Sequence, residues 1–313
     1  MSADMVGGLS NTYVMNADDW HSSMQERRCC LCHHSRVNAL VLGTAQWGSA
    51  YGITNITGRL PDEELDHLVE AAQRAGVAGF DTASAYGDAE ARLRPWASGF
   101  QVTTKVQGAD PNKIQSQLSS SLQTLGVGCV HACLLHDWST LDEVQARVAA
   151  DQLRVLRDAG MVRLIGVSAY DEGEVELAQT VFGDLDVVQV PINALDRRLE
   201  DSAVLKALSE QGAEIQVRSV FLQGLLAGRS DTDLGRHPDV VGFHDYCAQQ
   251  GQGPIEVALG FVKGVPWVSR VVVGVTGVDE FKGILKAWDS AVEIRPAVLG
   301  SSDLTLLDPR GWA

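Results

Sequence analysis

A short pattern recurs along this 313-residue chain and constrains its fold more than any other feature. An amphipathic segment with helical spacing ends at a glycine, and a run of apolar residues typical of a buried strand follows at once. The glycines that end these segments are Gly76, Gly126, Gly160, Gly212 and, more loosely, Gly264. A glycine in this position adopts the left-handed conformation that turns the chain back sharply. Repeated units of this kind predict parallel strands covered by helices.

Strand-like segments lie near positions 40, 79, 102, 132, 164, 187, 215 and 271, and a helical segment follows each of these eight. Eight such units in about 255 residues match a closed (β/α)8 barrel in number and size. An open doubly wound sheet is the alternative, but no Gly-x-Gly-x-x-Gly fingerprint follows the first strand. We therefore predict an α/β fold, a single-domain (β/α)8 TIM barrel over residues 38–313.

The first long helix is predicted to begin at Pro61, because proline suits the first helical position and acidic residues follow it. Its core face is expected to consist of Leu65, Leu68, Val69 and Ala72, which are spaced at i, i+3, i+4 and i+7. The second strand is expected directly after this helix ends.

Residues 1–37 show neither a helical nor a strand period, so we expect a loosely ordered N-terminal extension. They also lack the basic start and apolar stretch of a secretory signal. Cys29, Cys30 and Cys32 cluster with His33 and His34, but adjacent cysteines cannot easily converge on one tetrahedral ion. No metal site is therefore predicted.

The formal net charge of −15 argues against nucleic acid or an anionic membrane as a partner, because both require clustered Lys and Arg. No apolar run approaches the roughly 18 residues of a membrane span. The six cysteines favour reduced thiols over a disulfide framework in a chain of this size. These features predict a cytoplasmic protein that binds neither nucleic acid nor membrane, and we expect a monomer or a small homo-oligomer.

Polar side chains follow the predicted strands at their carboxyl ends, where barrels of this type carry their functional groups. In chain order they are Thr44, Asp81, Tyr86, Lys105, His136, Ser168, Gln189, Asn193, Arg218 and Ser219. Each alone has a structural explanation, such as a turn cap, a solvated strand end or a satisfied core histidine. Four different ionisable groups at three successive strand ends, however, indicate a site for acid–base chemistry.

From about Asn38 to its C-terminus the chain resembles the aldo-keto reductase superfamily. The matching phrases are residues 43–48, 81–87, 104–105, 134–136, 166–168, 188–193 and 219–228. The spacing Asp-x4-Tyr-Gly with a later strand-end Lys and His is highly specific. The chain looks closest to a bacterial branch with Gly-Thr-Ala-Gln-x-Gly-x-x-Tyr-Gly near the start and Asp-Pro-x-x-Trp at the end, whose substrates are largely unassigned.

The resemblance implies a nicotinamide-dependent reduction of an aldehyde or ketone. Tyr86 would donate a proton to the carbonyl oxygen as hydride arrives at the carbon. A free phenol has a pKa near 10, and Lys105, held by Asp81, is expected to lower that pKa by favouring the phenolate. His136 would orient the carbonyl and help to stabilise its developing charge.

The resemblance also assigns binding residues for NADP(H) or NAD(H). They are Gly43, Thr44, Ser168, Gln189, Arg218, Ser219, Phe221, Gln223, Gly224, Gly274, Thr276 and Asp279. Within this set, Ser168 and Gln189 match the groups that hold the nicotinamide carboxamide, and residues 219–225 would contact the pyrophosphate. The substrate pocket would be shaped by Trp47, Tyr51, Trp138 and Asn193, although the three aromatic residues could equally be loop packing.

The chain departs from the family pattern at three places. Ala169 stands where an asparagine is usual, and Arg218 stands where an aromatic residue often stacks on the nicotinamide. Residues 274–280 contain no base to bind the 2′-phosphate of NADP, and Asp279 would repel that phosphate if it pointed inward. The choice between NADP and NAD is therefore open.

Two other functions remain open. The altered cofactor residues are compatible with a non-redox acid–base enzyme, such as an epimerase or lyase, that uses Tyr86 and Lys105. A regulatory module that senses the cofactor without turning over a carbonyl is the other alternative.

Overall fold

The structure is a computed structural model that describes residues 39–312. The predicted extension at 1–37 and its Cys/His cluster lie outside the described residues. The strands are β1 Ala39–Gly43, β2 Gly79–Asp81, β3 Gln101–Val106, β4 Val130–Leu135, β5 Val162–Ser168, β6 Val187–Pro191, β7 Glu214–Arg218 and β8 Arg270–Gly274. Each pairs in parallel with the next, and β8 pairs with β1 to close the barrel. The predicted (β/α)8 TIM barrel is confirmed.

Helices connect the strands and surround the barrel. In chain order they are α1 Ala45–Gly48, α2 Asp62–Arg74, α3 Ala89–Leu93, α4 Ile114–Leu125, α5 Glu143–Asp158, α6 Glu172–Phe182, α7 Ala203–Glu210, α8 Pro238–Gln250, α9 Pro254–Lys263, α10 Val278–Ser290 and α11 Leu304–Leu307. Their apolar faces pack on the outward side chains of the strands in one continuous hydrophobic core. Within residues 39–312, no helix has the length and apolar character needed to cross a membrane.

The recurring glycines act as predicted in most of the turns. Gly76, Gly126, Gly160 and Gly212 have φ angles of 66°, 71°, 74° and 94°, which lie in the left-handed region. Gly264 differs, because its φ of −72° and ψ of −10° continue the right-handed turn of α9. The left-handed turn predicted from the pattern is therefore absent only at the unit where the pattern was loosest.

Helix α2 begins one residue later than predicted. Pro61 has φ −62° and ψ 149°, so it is the extended residue before the helix rather than its first residue. The predicted core face of this helix is confirmed, because Leu65, Leu68, Val69 and Ala72 are all buried.

The inside of the barrel is partly polar, and this feature positions the site. Alternate side chains of a strand point to the same face, so Glu214, Gln216 and Arg218 of β7 share one face while Ile215 and Val217 pack into the outer core. Gln216 Nε2 donates to Glu214 Oε1 at 2.6 Å and to Thr103 Oγ1 at 3.3 Å. These contacts begin a column of polar groups that runs towards the carboxyl ends of the strands.

At the amino-terminal end of the column, Glu214 contacts two basic side chains. Its Oε2 lies 3.1 Å from Nε2 of His131 and 2.7 Å from Nε of Arg270. The remaining interior is filled by a small apolar cluster of Ala132, Leu134 and Val187. The lumen is thus a packed core with a continuous polar strip along one side.

Candidate active site

A buried ion pair lies at the carboxyl ends of β2 and β3. Asp81 is the last residue of β2 and Lys105 is the fifth of β3, and Lys105 is only 1% exposed. The Lys105 Nζ atom lies 2.6 Å from Asp81 Oδ2 and also donates to the Thr82 carbonyl oxygen at 3.0 Å. A buried ammonium needs such partners to keep its proton. Burial lowers the pKa of Lys105, but Asp81 and Tyr86 together hold that pKa above its usual value.

Tyr86 completes this arrangement from the loop after β2. Lys105 Nζ donates to its phenolic oxygen at 3.4 Å, and the ammonium lies 5.0 Å from the centroid of the ring. Burial raises the pKa of Tyr86, and the opposing charge of Lys105 does not overcome it. The predicted lowering of this pKa is therefore wrong for the free protein, because desolvation of the phenolate outweighs the nearby ammonium. Tyr86 is a protonated phenol with a cation beside its oxygen.

His136 follows β4 and flanks the phenol. Its backbone N–H donates to the Val106 carbonyl at 2.8 Å, and its ring lies edge-on to Tyr86 with centroids 5.9 Å apart. Burial, followed by the positive charge of Lys105, lowers the pKa of His136 to about 4. The imidazole is therefore neutral near pH 7 and has one N–H to donate.

Gln189 on β6 holds the other side of Asp81. Its Nε2 atom donates to Asp81 Oδ1 at 2.7 Å and to Gln216 Oε1 at 2.9 Å. Both carboxylate oxygens of Asp81 are thus engaged, one by the ammonium and one by this amide. The Oε1 atom of Gln189 is buried, and no donor among residues 39–312 reaches it. Gln189 is fully buried and does not line the cleft beside Tyr86, so this atom alone does not mark a ligand site.

A cleft opens beside Tyr86 and runs over the ends of β1, β7 and β8. The predicted site residues that line it are Gly43, Thr44, Tyr51, Asp81, Tyr86, Arg218, Ser219, Phe221, Gln223, Gly224, Gly274 and Thr276. Gly43 and Gly274 are register partners on β1 and β8, and the side-chain amide of Gln46, which also lines the cleft, lies against Gly274. Ser168, by contrast, is buried at the end of β5 and lies outside this lining.

The loop after β7 has an unusual backbone. Ser219, Leu222 and Gln223 have φ angles of 60°, 46° and 53°, a region that residues other than glycine rarely occupy. The loop after β1 holds it from across the cleft, because Thr54 Oγ1 donates to the Gln223 carbonyl at 3.1 Å and Ile53 N–H donates to Gln223 Oε1 at 3.2 Å. Sequence reasoning missed Thr54, since a bond between residues 169 positions apart leaves no local signal.

The acidic residue at the far end of the cleft is Glu280 rather than Asp279. Glu280 lines the cleft, and its Oε2 accepts from Thr276 N–H at 2.6 Å and Thr276 Oγ1 at 2.7 Å. The Asp279 side chain is 94% exposed and pairs with Lys282 on the surface of α10. Asp279 therefore does not line the cleft, because one residue along a helix turns the side chain by about 100°. Its contact with a bound cofactor stays a prediction.

Two of the predicted substrate contacts are core residues. Trp47 is fully buried, with its ring centroid 5.5 Å from that of Phe80. Trp138 is also buried, and its Nε1 donates to the Glu174 carbonyl at 2.9 Å. Loop packing, the alternative reading of the sequence, is the correct one for both tryptophans.

The other two predicted contacts differ from each other. Tyr51 is 43% exposed and lines the cleft. Asn193 is buried, and its Oδ1 accepts from the backbone N–H groups of Leu195 and Asp196. Its Nδ2 donates to the Ser219 carbonyl at 3.1 Å, so Asn193 supports the β7 loop rather than presenting a free amide to the cleft.

The sequence of the chain was compared with models of known protein families, and the result agrees with this arrangement of barrel, ion pair and phenol. Residues 39–296 match the sequence model of the Aldo/keto reductase family. The chain belongs to this family. The resemblance seen in the motifs is therefore confirmed.

Known aldo-keto reductases share parts of the chain. An aldo-keto reductase from Strobilurus tenacellus is 26% identical over 204 residues, which are 60% of this chain and 58% of the relative. The NADH-specific methylglyoxal reductase of Escherichia coli is 30% identical over 126 residues, 39% of this chain and 37% of the relative. The matched segments thus span about a third to somewhat over half of these relatives.

Solved structures show the same fold. An aldo-keto reductase from Bacillus halodurans, in its holo form, superposes with a TM-score of 0.66 at 16% identity, covering 81% of this chain and 87% of its own. At this identity the likeness establishes the barrel alone. Within residues 39–312 of the present chain, no group of three or more His, Cys, Asp or Glu side chains is arranged to hold a metal ion.

One departure from the family pattern lies in the cleft itself. Arg218 occupies the position where an aromatic residue often stacks, and its guanidinium carbon lies 4.1 Å from the centroid of the Tyr170 ring. Tyr170 directly follows Ala169, the residue that replaces the usual asparagine. Sequence reasoning noted both departures but missed Tyr170, although its place beside one of them was a usable signal.

Proposed function

We propose that this protein is an NAD(P)H-dependent oxidoreductase that reduces a small aldehyde or ketone to an alcohol. The observation that carries the proposal is the position of Lys105 Nζ between Asp81 Oδ2, at 2.6 Å, and the Tyr86 hydroxyl, at 3.4 Å, beside the cleft. Family membership supports the same reaction class. The protein is proposed to act in the cytoplasm as a monomer or small homo-oligomer.

Several features of the cleft fit a nicotinamide dinucleotide. By the resemblance Gln189 would hold the carboxamide, and its buried Oε1 has no partner among the described residues, although Gln189 does not line the cleft. The left-handed residues of the β7 loop turn the backbone as in anion-binding nests, which suits a pyrophosphate. Gly43 and Gly274 add no side chain of their own at the strand ends, so a flat group could approach them if the Gln46 amide beside Gly274 moved aside. When bound, the reduced nicotinamide would supply the hydride.

Tyr86 would act as the proton donor. Because burial raises the pKa of its hydroxyl, the phenol keeps its proton near neutral pH and can give it to the carbonyl oxygen as negative charge develops there. Lys105 would then stabilise the phenolate that is left, by charge and by its hydrogen bond. His136, neutral with a lowered pKa of about 4, would donate an N–H to the same oxygen.

Asp81 and Gln189 would act one step away from the reaction. Asp81 keeps Lys105 charged, and Gln189 fixes Asp81 through the 2.7 Å bond to Oδ1. The position of the Tyr86 hydroxyl is thus fixed by a series of buried contacts from Gln189 through Asp81 to Lys105.

We propose that NADH is the preferred cofactor. Residues 274–280 contain no base, and Glu280 lines the cleft close to Thr276. A carboxylate there would repel a 2′-phosphate, whereas it could accept hydrogen bonds from the ribose hydroxyls, as acidic residues do in other dinucleotide sites. The printed name of the Escherichia coli relative, an NADH-specific reductase, is in line with this preference.

The proposal is tested by titrating NADH and NADPH separately into the protein and following tryptophan fluorescence. NADH should bind more tightly, and Glu280→Gln should improve NADPH binding by about tenfold with little effect on NADH. Tight NADPH binding to the parent would overturn the cofactor preference.

The proton donor is tested by Tyr86→Phe. This change should lower kcat by about 10²- to 10⁴-fold while leaving NADH binding unchanged. Tyr246→Phe on α8 removes the same hydroxyl group away from the cleft and should leave kcat unchanged. Equal activities of the two variants would contradict the assignment of Tyr86, and an absence of any nicotinamide binding would favour the non-redox alternative.

A further inference from the structure

Arg218 is a cation placed in the cleft without a carboxylate partner. It is the last residue of β7, on the same face as Gln216, and it lines the cleft together with Tyr51 and Tyr86. Its described hydrogen bonds are long and go to neutral oxygens, Ser219 Oγ at 3.3 Å and the Ala169 carbonyl at 3.4 Å. No acidic side chain within residues 39–312 forms an ion pair with it, although the guanidinium is partly buried.

A second arginine on the same tyrosine provides a contrast. Arg310 lies 3.9 Å from the centroid of Tyr170, as Arg218 does at 4.1 Å. Arg310, however, is neutralised by Asp308 at 2.6 Å and by Glu174 at 3.7 Å. The chain thus supplies counter-charges within ion-pair distance to the outer guanidinium, whereas Arg218 interacts with Glu174 only at longer range. Because desolvating an unpaired cation is costly, this asymmetry suggests that Arg218 receives its anion from a ligand.

The orientation of Arg218 is fixed by the contact with Tyr170. A guanidinium against an aromatic ring keeps its edge free to bind a planar anion through two parallel hydrogen bonds. Tyr170 is itself held, since its backbone N–H donates to Glu174 Oε2 at 2.6 Å. The Nη1 and Nη2 atoms of Arg218 each make one long hydrogen bond within the chain, which leaves each a second N–H for an anion in the cleft that Arg218 lines.

Arg218 also lies close enough to act on the reacting groups. Its charge contributes to lowering the pKa of His136 and opposes the raised pKa of Tyr86. An anion bound by Arg218 would therefore lie near the carbonyl that Tyr86 protonates. Arg218 is the only base among the described residues that line the cleft, and one guanidinium can neutralise the single charge of a carboxylate but not the double charge of a phosphate ester.

We propose that Arg218 is the specificity residue of the substrate site and that it binds the carboxylate of an oxo acid. This inference rests on the proposed function. In the reaction, the carbonyl carbon of the oxo acid accepts a hydride from the reduced nicotinamide, and its oxygen takes the proton of Tyr86. The products are a hydroxy acid and the oxidised nicotinamide, while the carboxylate is unchanged and Tyr86 regains a proton from water.

The test compares matched acidic and neutral aldehydes, namely succinic semialdehyde with butanal and glyoxylate with acetaldehyde. The parent should favour the acid of each pair in kcat/KM by about ten- to a hundredfold, the usual range for one charge-assisted contact. Arg218→Gln should remove this preference, which is read as the ratio of kcat/KM within each pair, because any change in cofactor contact or in the charge near Tyr86 would affect both members of a pair alike. Arg218→Lys should recover part of it, because the charge remains but the two-point contact is lost.

Arg310→Gln is the matched control, since it removes the other guanidinium on Tyr170 and should leave the preference unchanged. Equal use of acidic and neutral aldehydes by the parent would overturn the inference while leaving the proposed reductase function intact. A loss of NADH binding in Arg218→Gln, with unchanged substrate preference, would overturn it by assigning Arg218 to the cofactor.

A binding measurement separates this inference from a failure of catalysis. Propionate and propionamide are titrated into the NADH-treated protein and followed by tryptophan fluorescence. Propionate should bind to the parent at least ten times more tightly than propionamide. In Arg218→Gln, the two compounds should bind with the same weak affinity. Equal binding of both compounds to the parent would contradict the carboxylate site even if no aldehyde were reduced.

Discussion

The ion pair of Lys105 and Asp81 is proposed to have two roles, one in stability and one in catalysis. Both side chains are buried and their charged atoms are 2.6 Å apart, so each one alone would be a charge without a partner in a dry environment. A buried pair is costly to break but can often be replaced as a whole at little cost. These two properties allow the structural role to be separated from the chemical one.

Lys105→Met should lower the free energy of unfolding by about 3 kcal/mol, because Asp81 loses its counter-charge. The double variant Lys105→Met with Asp81→Asn should regain most of that stability in urea unfolding. It should not regain activity, since the cation beside the Tyr86 oxygen is still missing. Recovery of kcat in the double variant would show that Lys105 serves stability alone.

His136 gives the protein a pH-dependent stability with a defined sign. Burial, with Lys105 next, lowers the pKa of the folded imidazole to about 4 from an ordinary value of 6.5, so the unfolded chain binds more protons between these values. Stability should therefore fall as the pH drops from 6.5 towards 4. In His136→Gln, the slope of unfolding free energy against pH should be smaller by up to one proton, about 1.4 kcal/mol per pH unit. An unchanged slope in urea titrations would contradict the lowered pKa.

At the scale of the elements, the glycines that end helices govern how strands and helices alternate. Gly160 has φ 74° and open space around its Cα, so any penalty for a side chain there comes from the backbone alone. Gly242 lies inside helix α8, also with open space. The two positions test the turn without steric interference.

Gly160→Ala should destabilise the protein by about 1–2 kcal/mol, the cost of the left-handed conformation for a residue with a Cβ atom. Gly242→Ala should instead stabilise it by about 0.5–1 kcal/mol, since alanine suits a helix interior. Thermal unfolding of both variants gives the comparison, and shifts of the same sign would contradict the role assigned to Gly160.

The elements were predictable from the sequence because they rest on local periodicity. All eight strands lie at the expected positions, and the core face of α2 is the expected one. The convergence of Asp81, Tyr86 and Lys105 was also predictable, since parallel strands bring their carboxyl ends to one rim. Side-chain direction in the loops was not, because packing decides it, and Trp47 and Trp138 consequently proved to be core residues.

Two further features could not be predicted from the sequence, for a different reason. They are the direction of the pKa shift of Tyr86 and the fact that Glu280, not Asp279, lines the cleft. The sign of the pKa shift depends on whether desolvation or the ammonium dominates, and that balance follows from the burial of the phenol. The choice between adjacent acidic residues depends on where α10 begins and on the angle at which its first turn meets the cleft.

At the scale of the whole molecule, the polar column connects the two ends of the barrel. Hydrogen bonds join Glu214 to Gln216, Gln216 to Gln189, and Gln189 to Asp81. The amino-terminal end, which in this fold serves stability, is thereby in contact with the rim that carries the reactive groups.

Gln216→Leu should test this connection. The change removes the acceptor that shares the Gln189 amide, so Asp81 should be held less firmly and kcat should fall by about tenfold with a smaller effect on NADH binding. Thr103→Val removes a neighbouring contact of Gln216 that does not involve Gln189, and it should leave kcat near the parent value. A similar loss of kcat in both variants would show that general destabilisation, and not the contact with Gln189, causes the effect.

The polar side chains inside this barrel therefore cannot be replaced by apolar ones without affecting the site. Replacing its polar strip by tightly packed aliphatic residues, an obvious way to raise the melting temperature, would also release the carboxylate that keeps the ammonium charged. The side-chain amides of Gln189 and Gln216 affect both the melting temperature and the proposed turnover, so a substitution there that raises the melting temperature should lower kcat.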